Sequence, residues 1–250
     1  MIVNIFILCF NESILLQHTI KHYKTRFRNC KITIYDNEST DNSVEIAKSL
    51  DCNVISFNTK GINDIRIKAN ISNNCWKDVT EGWIIMIDMD EWLMITEEDL
   101  IKEEQNGTTI LSTIGYQMFG ESKEIDLSDI DLHSINKGMF FPGESKHLCF
   151  LREHIAEMNY SYGCHTCKPT GKQIGNIKYS SNKYINKHMC YLGLPFLTNK
   201  MIKRYERCAE MRKIGRSTHY TDNINKINKD YNDVGTKSKI IISLEYAGYY

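Results

Sequence analysis

Three carboxylates follow an apolar segment near the middle of the chain. Asp88, Asp90 and Glu91 come directly after the run 83–87. A buried strand that ends in clustered negative charge needs positive charge beside it, because uncompensated charge in a protein interior is costly. Two aspartates separated by one residue suit a hard divalent cation such as Mn²⁺ or Mg²⁺, which keeps open positions for a diphosphate. The spacing therefore predicts a cation site with Asp88 and Asp90 as ligands.

Two further sets of polar residues follow apolar segments in the first half of the chain. They are Phe10, Asn11 and Glu12 after the first segment, and Asp36, Asn37, Ser39 and Asp41 after the second. Because the carboxyl ends of strands in a doubly wound sheet converge on one edge, we expect both sets beside the three carboxylates. No glycine-rich phosphate loop follows either segment, which excludes a dinucleotide-binding fold and a P-loop nucleotidase.

Alternating strand and helix patterns must position these residues. Periodicity and capping residues predict strands over 2–10, 31–36, 52–57 and 83–87, and helices over 14–24, 39–50 and 64–79. This order predicts an α/β fold with a doubly wound, mostly parallel sheet that is flanked by helices. Trp76 and Trp83 flank the fourth strand and are expected in the core, whereas Trp92 is a candidate for a pocket rim.

The second half of the chain has weaker patterns. Strands are predicted within 108–119 and 139–153, on either side of an acidic segment at 121–131. Residues 160–187 are predicted to form loops and short strands, and residues 196–214 to form a basic amphipathic helix. The cationic residues of this helix are expected to form a solvated face; the alternative is that one of them contacts a diphosphate. They are Lys200, Lys203, Arg204 and Arg207.

Composition limits the possible partners. Lys and Arg total 31 and Asp and Glu total 31 among 250 residues, so no overall field attracts the chain to nucleic acid or an anionic membrane. The N-terminal "MIVNIFILCF" has no basic leader and is interpreted as a first strand, and no apolar run approaches the roughly 20 residues of a spanning helix. Nine cysteines without a secretory signal indicate reduced thiols, which predicts a cytoplasmic protein without a transmembrane segment.

Three segments together resemble the family 2 glycosyltransferases of GT-A fold, in particular a subgroup with Asn-Glu after the first strand. The segments are "LCFNESILL", "IYDNESTDNSVEIAKSL" and "NNCWKDVTEGWIIMIDMDEWL". The resemblance implies an inverting transfer of a sugar from a UDP- or GDP-linked donor to a hydroxyl of a glycan, lipid-linked or protein acceptor. It also implies Mn²⁺ or Mg²⁺ as cofactor. With no repeat or linker, we expect one domain over 1–250, with a nucleotide-binding half at 1–105 and an acceptor-binding half at 106–250.

The resemblance also implies roles for individual residues. Asn11 and Glu12 would line the nucleoside pocket, Asp36 would hold the base, and Asp88 would face the ribose or the metal. Asp90 would ligate the metal, and a late histidine, His188, would complete the metal site. The other residues assigned to nucleotide binding are Phe10, Asn37, Ser39, Asp41, Asp64 and Arg66.

An inverting enzyme needs a base that takes the proton of the acceptor hydroxyl. The acidic pair that the family uses for this has no clear equivalent here, and the candidates are Glu91, Glu144, Glu153 and His165. We select Glu91 and His165 as catalytic; His165 lies in a Gly-Cys-His turn, and a histidine titrates near neutral pH, which suits a base.

Alternative functions remain open from the sequence. A structural zinc site in a binding module is one, because Cys164, His165, Cys167, His188 and Cys190 include a C-x-x-C pair. A nucleotidyltransferase is a second, although the basic glycine-rich loop of that class is missing after the first strand. A catalytically inactive relative of the glycosyltransferases is a third.

Overall fold

The computed structural model describes residues 1–173 and 177–241. The strands in this part of the chain are β1 (Val3–Cys9), β2 (Cys30–Asp36), β3 (Asn53–Ser56), β4 (Trp83–Asp88), β5 (Glu91–Leu93), β6 (Ile110–Ser122), β7 (Lys137–Phe140), β8 (Cys149–Leu151), β9 (Ile155–Glu157), β10 (Thr170–Gly171), β11 (Tyr179–Gly193) and β12 (Lys239–Ile240). The helices are α1 (Ser13–Arg26), α2 (Ser43–Ser49), α3 (Ile65–Asn74), α4 (Glu97–Gln105), α5 (Leu194–Arg207), α6 (Ala209–Lys213) and α7 (Ile224–Lys237).

The first half forms a parallel sheet in the order β3, β2, β1, β4. All seven residues of β1 are buried, because its two faces pack into separate apolar clusters. Ile5 and Ile7 belong to one cluster together with residues of α1 and α2, and Phe6 and Leu8 belong to the other. The predicted α/β fold with a mostly parallel sheet flanked by helices is confirmed.

The register of this sheet brings the strand ends together. Cys9 of β1 pairs with Asp36 of β2, and Leu8 of β1 pairs with Asp88 of β4. The residues that follow these three strands therefore leave the sheet at the same level and along one edge. This is the convergence that the sequence pattern predicts.

The second half adds a mixed extension to the sheet. β8 pairs antiparallel with β4, and β6 pairs antiparallel with β8 and β7. β11 runs parallel to β6 and antiparallel to β5. Because β5 follows β4 after two residues, this pairing brings β11 close to the carboxyl end of β4.

The prediction of loops and short strands over 160–187 is wrong at its C-terminal end. Residues 179–187 belong to the fifteen-residue strand β11, whereas residues 174–176 lie outside the described part of the chain. This strand was missed because polar residues are buried in it. Asn186, for example, is fully buried and donates a hydrogen bond to the Glu144 carbonyl, 3.1 Å away.

Two other expectations about packing have opposite outcomes. Trp76 and Trp83 are fully buried, as predicted. Trp92 is only 1% exposed, so its assignment to a pocket rim is wrong. Its Nε1 donates to the Thr19 hydroxyl at 2.9 Å and its ring stacks on His22, which together hold the indole in the core.

The predicted basic helix is two helices that meet at Cys208. The first begins one residue after Gly193, with Pro195 in its first turn, where the missing N–H of proline costs no hydrogen bond. Among residues 1–173 and 177–241, no helix is both long enough and apolar enough to cross a membrane.

Candidate active site

A cleft of about 870 Å³ opens where the carboxyl ends of β1 and β4 meet. Segments from both halves of the chain line it. They include residues 10–13 after β1, residues 86–91 around the end of β4, Lys68 of α3, the turn 143–144, the turn 162–165, His188 of β11, and Lys200, Lys203, Arg204 and Arg207 of α5. The cleft therefore brings together the polar ends of the early strands and a basic helix from the second half.

The loop after β1 is fastened to the loop after β2. Asn11 has a positive φ of 51°, and its side-chain oxygen accepts hydrogen bonds from the backbone N–H groups of Thr40 and Asp41. The backbone N–H of Asn11 donates to the Ser39 hydroxyl at 2.9 Å. Of the residues predicted to bind nucleotide, five line the cleft, and they are Phe10, Asn11, Glu12, Asp41 and Asp88.

Asp36, Asn37 and Ser39 lie at the end of β2 and in the loop after it, and they are not among the residues that line the cleft. The Asp36 carboxylate is 3% exposed and accepts hydrogen bonds from both the backbone N–H and the hydroxyl of Ser39. The Asn37 side-chain oxygen accepts from Arg207 at 2.7 Å. In this arrangement these residues shape the loop, and direct contact of Asp36 with a base stays a prediction.

Asp64 and Arg66 interact with each other. The Asp64 carboxylate caps the N-terminus of α3 and forms two hydrogen bonds with the Arg66 guanidinium, at 3.0 and 2.7 Å. Hydrogen bonds from Arg66 lower the pKa of Asp64. The cleft is lined instead by their neighbours Asn63, Ile65 and Lys68.

Asp90 and Glu12 share two cations of α5 in an arrangement that we call the cleft cluster (Glu12, Asp90, Lys200 and Arg204). The Lys200 ammonium lies 2.8 Å from Asp90 Oδ2 and 3.1 Å from Glu12 Oε2. Arg204 Nη2 lies 3.2 Å from Asp90 Oδ2 and 3.1 Å from Glu12 Oε1. Burial would raise the pKa of Asp90, but Lys200, His188 and Arg204 outweigh it and hold this pKa well below its usual value.

The expectation that the basic face of α5 is solvated is therefore wrong for two of its residues. The Lys200 side chain is 8% exposed and that of Arg204 is 30% exposed, and both point to the carboxylates at the sheet edge. A signal for this was present in the sequence. Phe196, Lys200 and Arg204 recur every four residues, which places the two cations on the same face as a core phenylalanine.

A second ion group, the enclosed cluster, consists of Glu91, Glu144 and Lys146. Lys146 bonds the Glu91 carboxylate and lies 2.9 Å from Glu144 Oε2. All three side chains are at most 7% exposed. Burial raises the pKa of Glu91 to about 8, which Lys146 opposes only in part. Burial would also raise the pKa of Glu144, but His188 and Lys146 lower it to about 2.

His188 lies between the two clusters. Its Nε2 is 3.3 Å from Asp90 Oδ2, and its Nδ1 is 2.7 Å from the Gln117 side-chain oxygen and 3.6 Å from Glu144 Oε1. Burial would lower the pKa of His188, but the Glu144 and Asp90 carboxylates outweigh it and raise the pKa. Both ring nitrogens therefore face acceptors.

This donor set does not fit the predicted divalent cation. Asp90 Oδ2 already faces Lys200, Arg204 and His188, and the nitrogens of His188 are directed to other partners. Asp88 is half-buried at the end of β4. In the described part of the chain, no group of three or more His, Cys, Asp or Glu side chains has an arrangement that could hold a metal ion.

The zinc alternative meets the same obstacle. Burial raises the pKa of Cys164 to about 12 and those of Cys167 and Cys190 to about 11, so these side chains are protonated thiols in the metal-free protein. Residues 1–173 and 177–241 contain no group of three or more His, Cys, Asp or Glu side chains that could hold a metal ion, so the structure does not support the zinc alternative.

His165 is exposed in the turn that follows Gly163 and lines the cleft. Its Nδ1 lies 2.7 Å from the Gly143 carbonyl oxygen. Because a carbonyl oxygen only accepts, this contact assigns the ring proton to Nδ1 and leaves the Nε2 lone pair available. Gly163 has a φ of 69°, and a Cβ there would lie 2.8 Å from His165 Nε2, so the glycine leaves this nitrogen room.

Arg207 was assigned from the sequence to the solvated face of the basic helix, with contact to a diphosphate as the alternative, and in the structure it lines the cleft. Its guanidinium carbon lies 3.3 Å from the centre of the Phe10 ring, and its Nη2 donates to Asn37. Arg207 therefore joins α5 to the loops after β1 and β2.

Comparison with known proteins identifies relatives of the first two thirds of the chain. A family model described as Glycosyl transferase family 2 matches residues 4–170. Protein RfbJ of Shigella flexneri is 29% identical over 87 residues, which are 35% of this chain and 63% of that protein. The chain thus covers less than two thirds of this relative.

Solved structures resemble the chain more distantly. TarS 1–349 of S. aureus in complex with UDP has a TM-score of 0.36 and 13% identity, over 50% of this chain and 37% of that one. Glucosyl-3-phosphoglycerate synthase of Mycobacterium tuberculosis with Mn²⁺, UDP and phosphoglyceric acid has a TM-score of 0.38 and 13% identity, and the match covers 65% of this chain and 61% of that one. The mannosyltransferase PcManGT of Pyrobaculum calidifontis with GDP-Man and Mn²⁺ has a TM-score of 0.36 and 14% identity, and the match covers 45% of this chain and 35% of that one.

Proposed function

This chain belongs to glycosyl transferase family 2, and we propose that it is a glycosyltransferase that transfers a sugar from a UDP- or GDP-linked donor to a hydroxyl acceptor. One observation carries the proposal. The loop after β1 and the carboxylates after β4 leave adjacent parallel strands at the same level and meet in a single cleft. Such an edge is where open α/β sheets bind their ligands.

We propose that residues 1–105 of one domain bind the nucleotide and residues 106–250 complete the acceptor side. Phe10 supports the first part, because it lies in the cleft after β1. The second half also contributes to the nucleotide side through α5, since Arg207 stacks on Phe10 and forms with it a surface against which a planar base can pack. Glu12 and Asp41 line the same region and can accept hydrogen bonds from hydroxyls or ring N–H groups.

His165 is the proposed base that takes the acceptor proton in an inverting transfer. Its Nε2 lone pair is free because Nδ1 donates to the Gly143 carbonyl, and its side chain reaches the cleft from the second half. Glu91 was predicted for the same role, but its side chain is 1% exposed and bonded to Lys146, which supports a structural role instead. We therefore assign the base to His165.

A nucleotide-sugar screen tests the function. The purified chain is melted with a panel of UDP- and GDP-linked sugars, with Mn²⁺ and separately with EDTA, and sugar transfer or donor hydrolysis is then measured for those that stabilise it. We expect one donor class to raise the melting temperature, because a ligand that binds only the folded state stabilises it. If no nucleotide sugar binds under either condition, the proposed function is wrong.

A variant tests the base. His165→Gln should lower kcat by about 10²- to 10⁴-fold, the usual contribution of a general base, and leave donor affinity unchanged. His154→Gln is a matched control, because His154 is not among the residues that line the cleft. Unchanged kcat in His165→Gln would remove the residue from the mechanism.

The chemical class of the acceptor and the cellular compartment of the protein are also proposals. A glycan, a lipid-linked sugar or a protein hydroxyl is compatible with the cleft, and the screen must include all three. All nine cysteines are free thiols, which supports a reducing compartment such as the cytoplasm.

A further inference from the structure

The cations of the cleft cluster stand where the sequence pattern predicts a divalent metal. We propose that Lys200 and Arg204 bind the diphosphate of the donor and supply the positive charge that a metal ion would otherwise provide. The proposal rests on the proposed function, because it concerns the donor of that reaction.

The first support is the state of Asp90. Its Oδ2 lies within 3.2 Å of both the Lys200 ammonium and the Arg204 guanidinium. A divalent cation at this oxygen would lie next to two positive charges, and in a site of low dielectric that repulsion is strong. The carboxylate that would ligate a metal is therefore already compensated by the protein.

The second support is the way in which the two cations are held. Glu12 and Asp90 approach them from the ends of β1 and β4, and Arg204 Nη1 also donates to the Tyr220 hydroxyl at 3.2 Å. An ammonium has three donors and a guanidinium has five, so these contacts leave N–H groups for a further acceptor. Since both side chains line the cleft, an anion there can reach them.

The third support is additional positive charge on the same wall. Lys68, Lys203 and Arg207 also line the cleft, and none of them forms an ion pair within residues 1–173 and 177–241. Lys200, Arg204 and Arg207 are spaced along one face of α5, so their charges act on the same volume. Arginine and lysine are the side chains that bind phosphate most strongly, arginine often through two parallel hydrogen bonds.

These cations have a defined part in the transfer. The bond between the anomeric carbon of the sugar and the phosphate oxygen breaks, and its electron pair remains on that oxygen. Lys200 and Arg204 stabilise the charge that develops on the leaving diphosphate. The acceptor oxygen forms the new bond to the anomeric carbon, and its proton moves to His165 Nε2, so the step needs no further reactant.

The binding of UDP and GDP to the unmodified chain is the first test. Affinity is measured by calorimetry in EDTA and in excess MnCl₂. We expect the dissociation constant of the preferred nucleotide to differ by less than about tenfold, which is about 1.4 kcal/mol, between the two conditions. A greater dependence on Mn²⁺ would overturn the inference and leave the proposed function intact, whereas absence of binding in both conditions contradicts the proposed function itself.

Charge-removing variants are the second test. In EDTA, Lys200→Gln and Arg204→Gln should each weaken nucleoside diphosphate binding by about 10- to 100-fold, the usual effect of losing a charge-assisted hydrogen bond. The corresponding nucleoside, which lacks phosphates, should bind as it does to the unmodified chain. Equal losses for nucleoside and diphosphate would show that the variants deform the pocket, and the assignment to the diphosphate would then be wrong.

Two controls keep this test decisive. Lys213→Gln removes a lysine from the surface helix α6, where it pairs with Glu210 outside the cleft, and should change neither affinity. Lys200→Arg and Arg204→Lys retain the charge, so they should bind diphosphate more tightly than the glutamine variants. If the glutamine variants fail to fold, the comparison of EDTA with MnCl₂ on the unmodified chain still decides.

Discussion

The two ion clusters begin at neighbouring residues and differ in what surrounds them. Asp90 belongs to the cleft cluster and Glu91 to the enclosed cluster, although one peptide bond separates them. Glu91 meets Lys146, whose side chain is 3% exposed, whereas Asp90 meets Arg204, whose side chain is 30% exposed. Both carboxylates are buried, and Lys200, the other partner of Asp90, is 8% exposed, so the two clusters differ mainly in the exposure of Arg204. This exposed cation belongs to the cluster that we propose binds the ligand.

Adjacent carboxylates at a strand end do not necessarily belong to one site. Consecutive residues of an extended chain point to opposite faces, so adjacent carboxylates can meet different partners. In this chain one partner lies in the β6–β8 region and the other on α5. Breaking each cluster separately tests the distinction, and the effects below are ordered by size.

Removal of the enclosed lysine should have the largest effect. Lys146→Met removes the cation that bonds Glu91 and leaves Glu144 with His188 as its remaining cationic partner, which costs about 3–5 kcal/mol of the free energy of unfolding. Urea unfolding measures the loss, and Lys213→Met on the surface is the control. A loss no greater than that of the control would mean that the enclosed cluster does not stabilise the fold.

Neutralisation of Asp90 should have a smaller effect. From the sequence, where Asp90 has no visible partner, Asp90→Asn is expected to stabilise the metal-free protein or leave it unchanged, because like charges repel. The structure reverses this expectation, since Asp90 pairs with Lys200 and Arg204. We expect a loss of about 1–3 kcal/mol, because Glu12 still compensates the cations.

Asp88→Asn is the matched control for Asp90→Asn. Asp88 is half-buried, and no ion pair or side-chain hydrogen bond involves its carboxylate in the described residues. Thermal melts in EDTA should show a lower melting temperature for Asp90→Asn than for Asp88→Asn. The opposite order would indicate that repulsion, as the sequence suggests, dominates at this strand end.

The loop behind the cleft should respond less than either cluster. Asp36→Ala removes the acceptor of two Ser39 hydrogen bonds and should weaken nucleotide binding by about 1–2 kcal/mol through a looser loop. Calorimetry with the preferred nucleotide measures the change. An unchanged affinity would show that neither Asp36 nor the shape of this loop matters for binding.

The smallest effect is a dependence on pH. The pKa of Glu144 is lowered to about 2 from 4.5, so its ionised form stabilises the fold above pH 4.5, and this contribution disappears as the pH falls towards 2. The difference in stability between the unmodified chain and Glu144→Gln should shrink by about 1 kcal/mol from pH 7 to pH 4. Urea unfolding of both proteins measures it, and a difference that grows on acidification would contradict the assigned pKa.

Local patterns were sufficient to predict the parallel sheet of the first half and the helices between its strands, but not β5 and α4. β1 and β4 have strong apolar runs and β2 has an alternating pattern, all three are followed by polar residues, and the parallel register brings those ends together. The residues that follow β1 line the cleft, namely Phe10, Asn11 and Glu12, and their roles in nucleotide binding stay predictions.

The parts that could not be predicted depend on contacts between distant segments. Lys146 is separated by 55 residues from Glu91, and Lys200 by 188 residues from Glu12, so no local pattern indicates these pairs. The cationic residues of α5 predicted a solvated face, and the position of Trp92 directly after carboxylates predicted a place at the rim of a pocket. In both cases the partners that bury the residue come from elsewhere in the chain.

The junction between β11 and α5 determines how freely the cleft cations can move. The strand ends at Gly193 and the helix begins at Leu194, so no loop separates His188 from Lys200 and Arg204. A Cβ at Gly193 would lie 2.4 Å from the Ser122 carbonyl oxygen, which fixes the junction against the neighbouring strand. The helix therefore follows the strand directly, and Glu12 and Asp90 hold its two cations at the sheet edge in the ligand-free structure. Little reorganisation is needed when negative charge appears in the cleft, which is the property that makes fixed charges effective in catalysis.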